Sequence, residues 1–215
     1  MAVRVDPFAG AIASEAQLRE LYEPPVPQVL RKQLDHLDEM ARRLIAVAPL
    51  VLVASHDGQG HCDATPRGGP PGFVGVLDEH HVAIPDATGN RRLDTLANVI
   101  ATGHAGLIFL IPGRDQTLRL NGRACISAEP GLLQRLTPVG KPPRTAIVVR
   151  ADEVYTHCPK AFVRSEVWNP ATWPGAGDQP SPAEVSHAHL SRTDPGLTVA
   201  DVERQQAESL KHRLA

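Results

Sequence analysis

The middle of this chain consists of short apolar runs separated by turn residues, and this pattern constrains the fold more than any other feature. The first pair is LVLVAS (50–55) and HCDATPR, joined by the turn DGQG. A charged turn joins the second pair, GFVGVLD and HVAIP, and GRDQ joins the third pair, GLIFLIP and TLRLNGRACIS. The last run is TAIVVRADEVYTHC (145–158). Runs of this length joined by hairpin turns are typical of antiparallel strands. Six or seven such strands, with only brief helical interruptions, predict a mainly β fold with flanking helices: a closed or partly closed antiparallel barrel, not a series of βαβ units.

Helical patterns are found mainly at the two ends of the chain. Ser14 followed by Gln17 predicts the start of a short helix, SEAQLRELY. A longer helix is predicted from Pro27 to Val47, because apolar residues recur there at helical spacing: Leu30, Leu34, Leu37, Met40, Leu44 and Ile45. Brief helices are expected at RRLDTLANVI and EPGLLQRL, and a last one at TVADVERQQAESLKHRL. We therefore expect one domain over 1–215, with N-terminal helices at 1–48, the barrel at 49–157, and a C-terminal loop and helix at 158–215.

Composition excludes several functional classes. With 22 basic and 24 acidic residues, the chain has no charge excess that favours nucleic acid or an anionic membrane. No apolar run approaches the roughly 18 residues of a membrane span, and the N-terminal sequence lacks a signal-peptide pattern, so we expect a cytoplasmic protein. Cys62, Cys125 and Cys158 are too few for a disulfide framework, and no spacing of cysteine or histidine indicates a metal site.

Two motifs are candidates for binding chemistry. In DATPRGGPPGFV (63–74), Arg67 projects from a strand end that runs into a glycine and proline bend, although an elaborate turn with an exposed arginine is an equally simple interpretation. In PDATGNRRLDTLANV (85–99), a loop brings Asn90, Arg91 and Arg92 to the first turn of a predicted helix. Free amides and the helix dipole favour an anion there, and a phosphate monoester fits two adjacent arginines. The alternative is that these arginines pair with acidic neighbours or solvent.

These motifs, together with LRLNGRA at 118–124, resemble the pyridoxamine 5′-phosphate oxidase-like family of FMN-binding proteins, and most closely its bacterial branch of FMN-dependent enzymes. The resemblance extends roughly from Pro24 to Trp173. It implies a split β-barrel that forms a homodimer, with FMN in a cleft between the subunits. It further implies that Asn90, Arg91 and Arg92 hold the phosphate and that the segment from Asp63 to Arg67 contacts the isoalloxazine and ribityl parts.

The resemblance and the motifs together define a set of candidate residues. The cofactor-binding candidates are Asp63, Ala64, Thr65, Pro66, Arg67, Pro85, Asp86, Asn90, Arg91, Arg92, Thr117 and Arg119, with Thr117 and Arg119 reaching the flavin of the neighbouring subunit. The substrate-side candidates are His157, Lys160, Arg164 and Trp168, since cations beside an aromatic ring suit a planar anionic substrate. The alternative interpretation of this last group is a helix that begins near Pro159 and a packed ring.

The chain also departs from the oxidase itself. It lacks a recognisable form of the oxidase's long C-terminal tryptophan-to-arginine segment and a set of pyridoxal-phosphate ligands, so the resemblance implies the cofactor without implying vitamin B6 oxidation. The first hypothesis is therefore an FMN-dependent oxidoreductase that acts on a small planar organic substrate. The second is a flavin-binding or carrier protein without turnover. A third is a haem or deazaflavin protein, because related split barrels are adapted to both, with His157 as the candidate haem ligand.

Overall fold

The computed structural model describes residues 8–87, 89, 91–136 and 141–213, and the chain divides into two compact units between Gln33 and Leu34. The first unit contains α1 (Glu15–Leu21) and α2 (Pro27–Arg31). Ser14 caps α1 as predicted, because its hydroxyl accepts a hydrogen bond from the Gln17 amide at 3.3 Å. Every described residue of this unit is exposed, so it has no core of its own.

The second unit is built on an antiparallel sheet of eight strands, which confirms the predicted mainly β fold. The strands are β1 (Leu50–His56), β2 (Cys62–Gly68), β3 (Gly75–Val76), β4 (His81–Pro85), β5 (His104–Leu110), β6 (Thr117–Ser127), β7 (Ala146–Arg150) and β8 (Glu153–His157). Their order is β2-β1-β5-β6-β7-β4-β3, and β8 also pairs with β6. The described residues of this unit also form the α-helices α3 (Glu39–Val47), α4 (Asp94–Thr102), α5 (Pro130–Arg135), α6 (Lys160–Ser165), α7 (Pro182–Leu190) and α8 (Val199–Arg213). No helix in the described part of the chain has the length and apolar character needed to cross a bilayer.

The prediction of a single helix from Pro27 to Val47 is wrong, because the structure has two separate helices there, α2 and α3. Leu34 pairs its backbone with Val154 of β8, through N···O distances of 2.9 and 2.7 Å, and these groups are therefore not available for helical bonds. A new helix begins after Asp38, whose carboxylate accepts the Ala41 amide at 2.7 Å. Met40, which the helical pattern placed on the apolar face, is 51% exposed.

The last predicted strand, TAIVVRADEVYTHC, is divided into β7 and β8, which raises the number of strands above six or seven. Both pair with β6, β8 along its first half and β7 along its second half. The break lies opposite Gly122, where a Cβ atom would come within 1.9 Å of the Arg150 carbonyl oxygen. Asp152 bridges the break by donating its amide to the Asn121 carbonyl at 3.1 Å. Glycine at position 122 therefore permits the close approach that turns the chain from β7 into β8.

The register of β1 and β2 places a polar row at the edge of the core. The main core cluster includes the buried residues Val51, Val53, Leu107, Phe109, Leu118, Leu120, Ala41, Ile45, Leu96 and Val99. Directly opposed residues of an antiparallel pair point to the same face. Arg67, Thr65 and Asp63 lie opposite Val51, Val53 and Ser55, and therefore share the face that α4 covers.

Candidate functional site

The candidate site begins with alternation along β2. Asp63, Thr65 and Arg67 are half-buried, whereas Ala64 and Pro66 between them are exposed. Side chains of a strand alternate between its two faces, so the five predicted residues of this segment divide into two groups. Only Asp63, Thr65 and Arg67 direct their side chains toward the core face.

Thr95, in the first turn of α4, joins this row. Its buried hydroxyl donates a hydrogen bond to Asp63 Oδ2 at 2.6 Å. The Arg67 guanidinium makes only long contacts, from Nη1 to Thr65 Oγ1 at 3.4 Å and from Nη2 to Thr95 Oγ1 at 3.5 Å. Thr95 was not predicted from the sequence. Its place in the first turn of the helix after the loop that carries Arg91 and Arg92 (the arginine loop) was nevertheless a usable signal.

The Arg67 Nε atom is buried and has no hydrogen-bond partner among the residues that the structure describes. A buried donor left without an acceptor costs about 1–3 kcal/mol, so such atoms usually meet a ligand, an ion or a water. The contacts of 3.4 and 3.5 Å do not satisfy the remaining donors well. The guanidinium therefore has the unmet donors that an anionic cofactor group would fill.

Asp86 supplies negative charge near the same arginine. Burial raises the pKa of the half-buried Asp86 carboxyl, while the positive charge of Arg67 acts in the opposite direction and lowers that pKa. Asp86 lies at the end of β4, after the buried Pro85, and its backbone N–H donates a hydrogen bond to the Thr145 carbonyl at 2.9 Å. Arg67 is thus linked to two carboxyls: to Asp63 through the Thr95 hydroxyl, and to Asp86 through charge.

The arginine loop leads into the same end of α4. Asn90 lies outside the described residues, whereas Arg91 and Arg92 are exposed, and Arg92 Nε donates to Asp94 Oδ2 at 2.8 Å. Arg91 and Leu93 have φ angles of 64° and 63°, in the left-handed region that costs non-glycine residues energy and is often found at functional sites. Leu93 caps α4 without a side-chain hydrogen bond, so no capping side chain competes for its first amides.

Thr117 and Arg119 lie on the other face of the sheet. Arg119 is directly opposite Ile108 of β5 and Tyr155 of β8, whereas the row of Arg67 continues through Val51 and Phe109. The Arg119 guanidinium lies 5.4 Å from the centre of the Tyr155 ring, and its Nε atom is also buried without a partner among the described residues. A single chain therefore places Arg119 and Arg67 on opposite faces of the sheet.

The predicted substrate-side residues are dispersed. His157 is exposed at the end of β8, and α6 begins directly after Pro159, with Arg164 Nε bonded to the Lys160 carbonyl at 3.1 Å. Trp168 stacks on Phe162 with ring centres 5.8 Å apart, and its indole N–H donates to the Arg114 carbonyl at 3.1 Å. The hollow of about 320 Å³ beside Trp168 is lined by Asp115 and Glu166, and by none of the three predicted cations. The geometry thus follows the alternative interpretation, a helix and a packed ring.

Comparison with known proteins gives one family and several similar structures. The family model described as pyridoxamine 5′-phosphate oxidase matches residues 37–158, more than half of the chain. A search of curated proteins found no match.

Among solved structures, HupZ of Group A Streptococcus is 17% identical, with a TM-score of 0.45, over 55% of this chain and 92% of that chain. An FMN-binding protein from Syntrophomonas wolfei is 16% identical, with a TM-score of 0.40, over 67% and 96%. The FAD-binding protein from Mycobacterium smegmatis is 12% identical, with a TM-score of 0.40, over 58% and 97%. The family assignment depends on the model match: the chain belongs to the pyridoxamine 5′-phosphate oxidase-like family of FMN-binding split barrels.

Proposed function

We propose that this protein binds FMN at the row formed by Asp63, Thr65, Arg67 and Thr95 (the Arg67 row) and at the arginine loop. We further propose that it acts as an FMN-dependent oxidoreductase on a small planar organic substrate. The observation that carries the proposal is the buried Arg67 Nε atom, which lacks a partner among the described residues although two hydroxyls lie beside the guanidinium. Membership of a flavin-binding family gives the cofactor class. The charge and the donors of the row favour its phosphate end.

A phosphate monoester matches these donors better than a diester does. Arg67, Arg91 and Arg92 supply guanidinium groups, and the N-terminus of α4 supplies backbone amides without a capping side chain. A monoester carries more charge and more free oxygens for charge-assisted bonds than the diphosphate of FAD offers at either phosphorus. We therefore expect FMN to bind in preference to FAD.

The residues of this chain have distinct roles in the proposal. Bound FMN would supply the electron-transfer chemistry, and the protein would supply binding and orientation. Asp63 holds the Thr95 hydroxyl at 2.6 Å, and the oxygen of that hydroxyl faces Arg67, so the pair orients the guanidinium. The backbone of the segment from Asp63 to Arg67 would border the ring system. Pro85 and Asp86 would close the other side.

A homodimer completes the proposed site. Thr117 and Arg119 lie on the face opposite to Arg67, so they would contact the flavin of the neighbouring subunit and not the flavin of their own. The unpartnered Arg119 Nε atom supports a contact from outside the subunit.

The test is spectroscopic and then kinetic. The purified protein is titrated separately with FMN and FAD, and the flavin absorbance and fluorescence are recorded. We expect FMN to bind with the higher affinity, and no Soret band in the spectrum of the purified protein. Anaerobic NADH or NADPH should then bleach the bound flavin, and an added electron acceptor should restore its colour. Tight FMN binding without reduction by either donor would favour a carrier, and a colourless protein that leaves the FMN spectrum unchanged would contradict both functions.

A further inference from the structure

A groove beside α3 is separate from the Arg67 row. Met40, Leu44 and Val47 of α3 form its apolar side, and Arg43, Arg114 and Gln116 supply polar groups around a cavity of about 490 Å³. That volume lies within the range of small-molecule sites, which are typically apolar hollows with a few placed polar groups. None of these residues belongs to the cluster of Asp63, Thr95 and Arg67.

The apolar side of the groove is accessible. Met40 and Val47 are each 51% exposed, and Leu44 between them is half-buried. Large apolar side chains that are exposed together in a concave surface often mark a binding site. Methionine adapts its shape to different apolar ligands because its side chain is unbranched and polarisable. The groove therefore offers a surface for the apolar body of a ligand.

The rim of the groove carries two arginines, and neither has an ion pair among the residues that the structure describes. Within the described part of the chain, Arg43 has no hydrogen bond or ion pair from its side chain, and the Arg114 guanidinium bonds to the neutral Gln116 side chain at 3.1 Å. The neighbouring Asp115 lines the other hollow, beside Trp168. The whole chain has a formal net charge of −2, so two unpaired arginines at one groove do not reflect a general excess of positive charge.

We propose that this groove binds a small organic anion with an apolar body and one carboxylate. The body would lie on Met40, Leu44 and Val47, and the carboxylate would lie between Arg43 and Arg114, whose guanidinium groups bind carboxylates through paired hydrogen bonds. A cavity of about 490 Å³ accommodates a small molecule, which favours this ligand over a protein segment. The proposal does not depend on flavin binding at Arg67.

The test is calorimetric titration of the full-length protein with 2-naphthoate, with the uncharged 2-naphthamide as the matched ligand control. We expect naphthoate to bind at least tenfold more tightly than naphthamide, and its affinity to fall as salt is added. Arg43→Gln and Arg114→Gln should each weaken naphthoate binding about tenfold. Arg135→Gln, at an exposed arginine of α5, should leave the affinity unchanged. Met40→Glu, at an exposed position, should abolish binding without loss of the folded state in thermal unfolding.

Three results would overturn the proposal: no naphthoate binding at millimolar concentration, equal affinity for naphthoate and naphthamide, or equal losses in the Arg135→Gln and Arg43→Gln variants. The same variants are titrated with FMN to separate the two sites. If Arg43→Gln weakens FMN as much as naphthoate, the groove is part of the flavin site and the proposal of a separate site is wrong. If FMN does not bind at all while naphthoate binds as described, the flavin proposal fails and the proposal of an anion site in the groove is supported.

Discussion

Arg67 and Arg119 each have a buried Nε atom without a hydrogen-bond partner among the described residues, yet they lie on opposite faces of the sheet. Arg67 is surrounded by oxygen groups: the hydroxyls of Thr65 and Thr95 face its guanidinium, and the charge of Asp86 interacts with it. Arg119 instead lies 5.4 Å from the centre of the Tyr155 ring. The same unmet donor is therefore found in two different environments.

This difference indicates two different partners. The hydroxyls of Thr65 and Thr95 border the Arg67 guanidinium at 3.4 and 3.5 Å and leave its donors for an anion, which we propose to be the phosphate. The Tyr155 ring lies within cation–π distance of the Arg119 guanidinium, and we propose that the unpartnered Nε atom meets a group of the neighbouring subunit. We therefore propose that Arg67 binds the phosphate, and we expect Arg119 to act only across a subunit interface.

The largest expected effect is the loss of FMN binding in Arg67→Ala. The variant removes several charge-assisted hydrogen bonds at once, so we expect the free energy of FMN binding to weaken by about 3 kcal/mol or more. Arg67→Lys, which keeps the charge, should lose less, and the exposed Arg123→Ala should lose nothing. Fluorescence titration with FMN measures all three variants. If Arg67→Ala binds FMN as tightly as the wild type, Arg67 does not bind the phosphate, and the proposed difference between Arg67 and Arg119 is wrong.

Arg91→Ala and Arg92→Ala should weaken FMN binding far more than riboflavin binding. Each variant removes a charged donor for the phosphate, which corresponds to about 1.5–3 kcal/mol. Riboflavin lacks the phosphate, so its affinity should change little. The measurement is a pair of titrations for each variant. Equal losses for the two ligands would show that these arginines support folding and not phosphate binding.

Arg119→Ala should weaken FMN binding by about tenfold, which is the size of one charged contact. The loss should affect the FMN site of the neighbouring subunit and not the site of the subunit that carries the substitution. The sharpest measurement uses a heterodimer of one Arg67→Ala subunit and one Arg119→Ala subunit, purified through two different tags. Our proposal predicts one FMN site of wild-type affinity per heterodimer, because one site retains both arginines. A heterodimer without such a site, or a monomer in sedimentation that binds FMN stoichiometrically, would contradict the assignment of Arg119 to the neighbouring flavin.

Thr95→Val should weaken FMN binding by about 1 kcal/mol, because it removes the hydroxyl that links Asp63 to Arg67 and keeps the shape of the side chain. Thr102→Val in the same helix is the matched control, since that hydroxyl bonds to the Asn98 carbonyl at 2.9 Å and to no other residue that the structure describes. FMN titration and thermal unfolding are measured for both variants. If both lose the same FMN affinity, Thr95 does not position Arg67.

The smallest expected effect concerns Asp86 and pH. Burial raises the pKa of Asp86 in the folded protein above its unfolded value, so folding favours the protonated carboxyl. This contribution to stability is fully present below the unfolded pKa and is lost as pH rises through the folded pKa. Asp86→Asn should therefore be more stable than the wild type at neutral pH, and the difference should shrink as pH falls through the folded pKa towards the ordinary value of 3.8. Denaturant unfolding across pH measures it, and a variant that is less stable at neutral pH would contradict this direction.

Much of the sheet could be predicted from the sequence, because its signals are local. Short apolar runs and hairpin turns mark β1, β2, β5 and β6, and their periodicity does not depend on distant residues. The break near Gly122 and Asp152 could not be predicted, since it arises where β6 pairs with two strands in succession.

Helix prediction failed where tertiary contacts replaced local ones. The apolar spacing from Leu30 to Ile45 is helical, but the Leu34 backbone pairs with β8 instead. The reverse error concerns α7, which the sequence analysis did not predict. Ser181 and Glu184 form a capping box there, with hydrogen bonds of 3.2 and 2.7 Å, and this local signal was available.

The candidate site was predictable in its segments but not in its geometry. Asp63, Thr65 and Arg67 lie on one face of β2 as a period of two requires, and the same rule would have separated Ala64 and Pro66 from them. The place of Thr95 in the first turn of the helix was visible in the sequence, but its bond to Asp63 was not, because that bond joins residues 32 positions apart. The distances that define the site therefore depend on the fold.

The central claim is that this chain holds FMN by its phosphate, and a paired titration of the wild-type protein with FMN and riboflavin tests it most directly. We predict one FMN per chain, with riboflavin bound at least about 100-fold more weakly, because riboflavin lacks the group that several charged donors bind. Equal affinity for FMN and riboflavin, or no change in the fluorescence of either flavin, would contradict the claim.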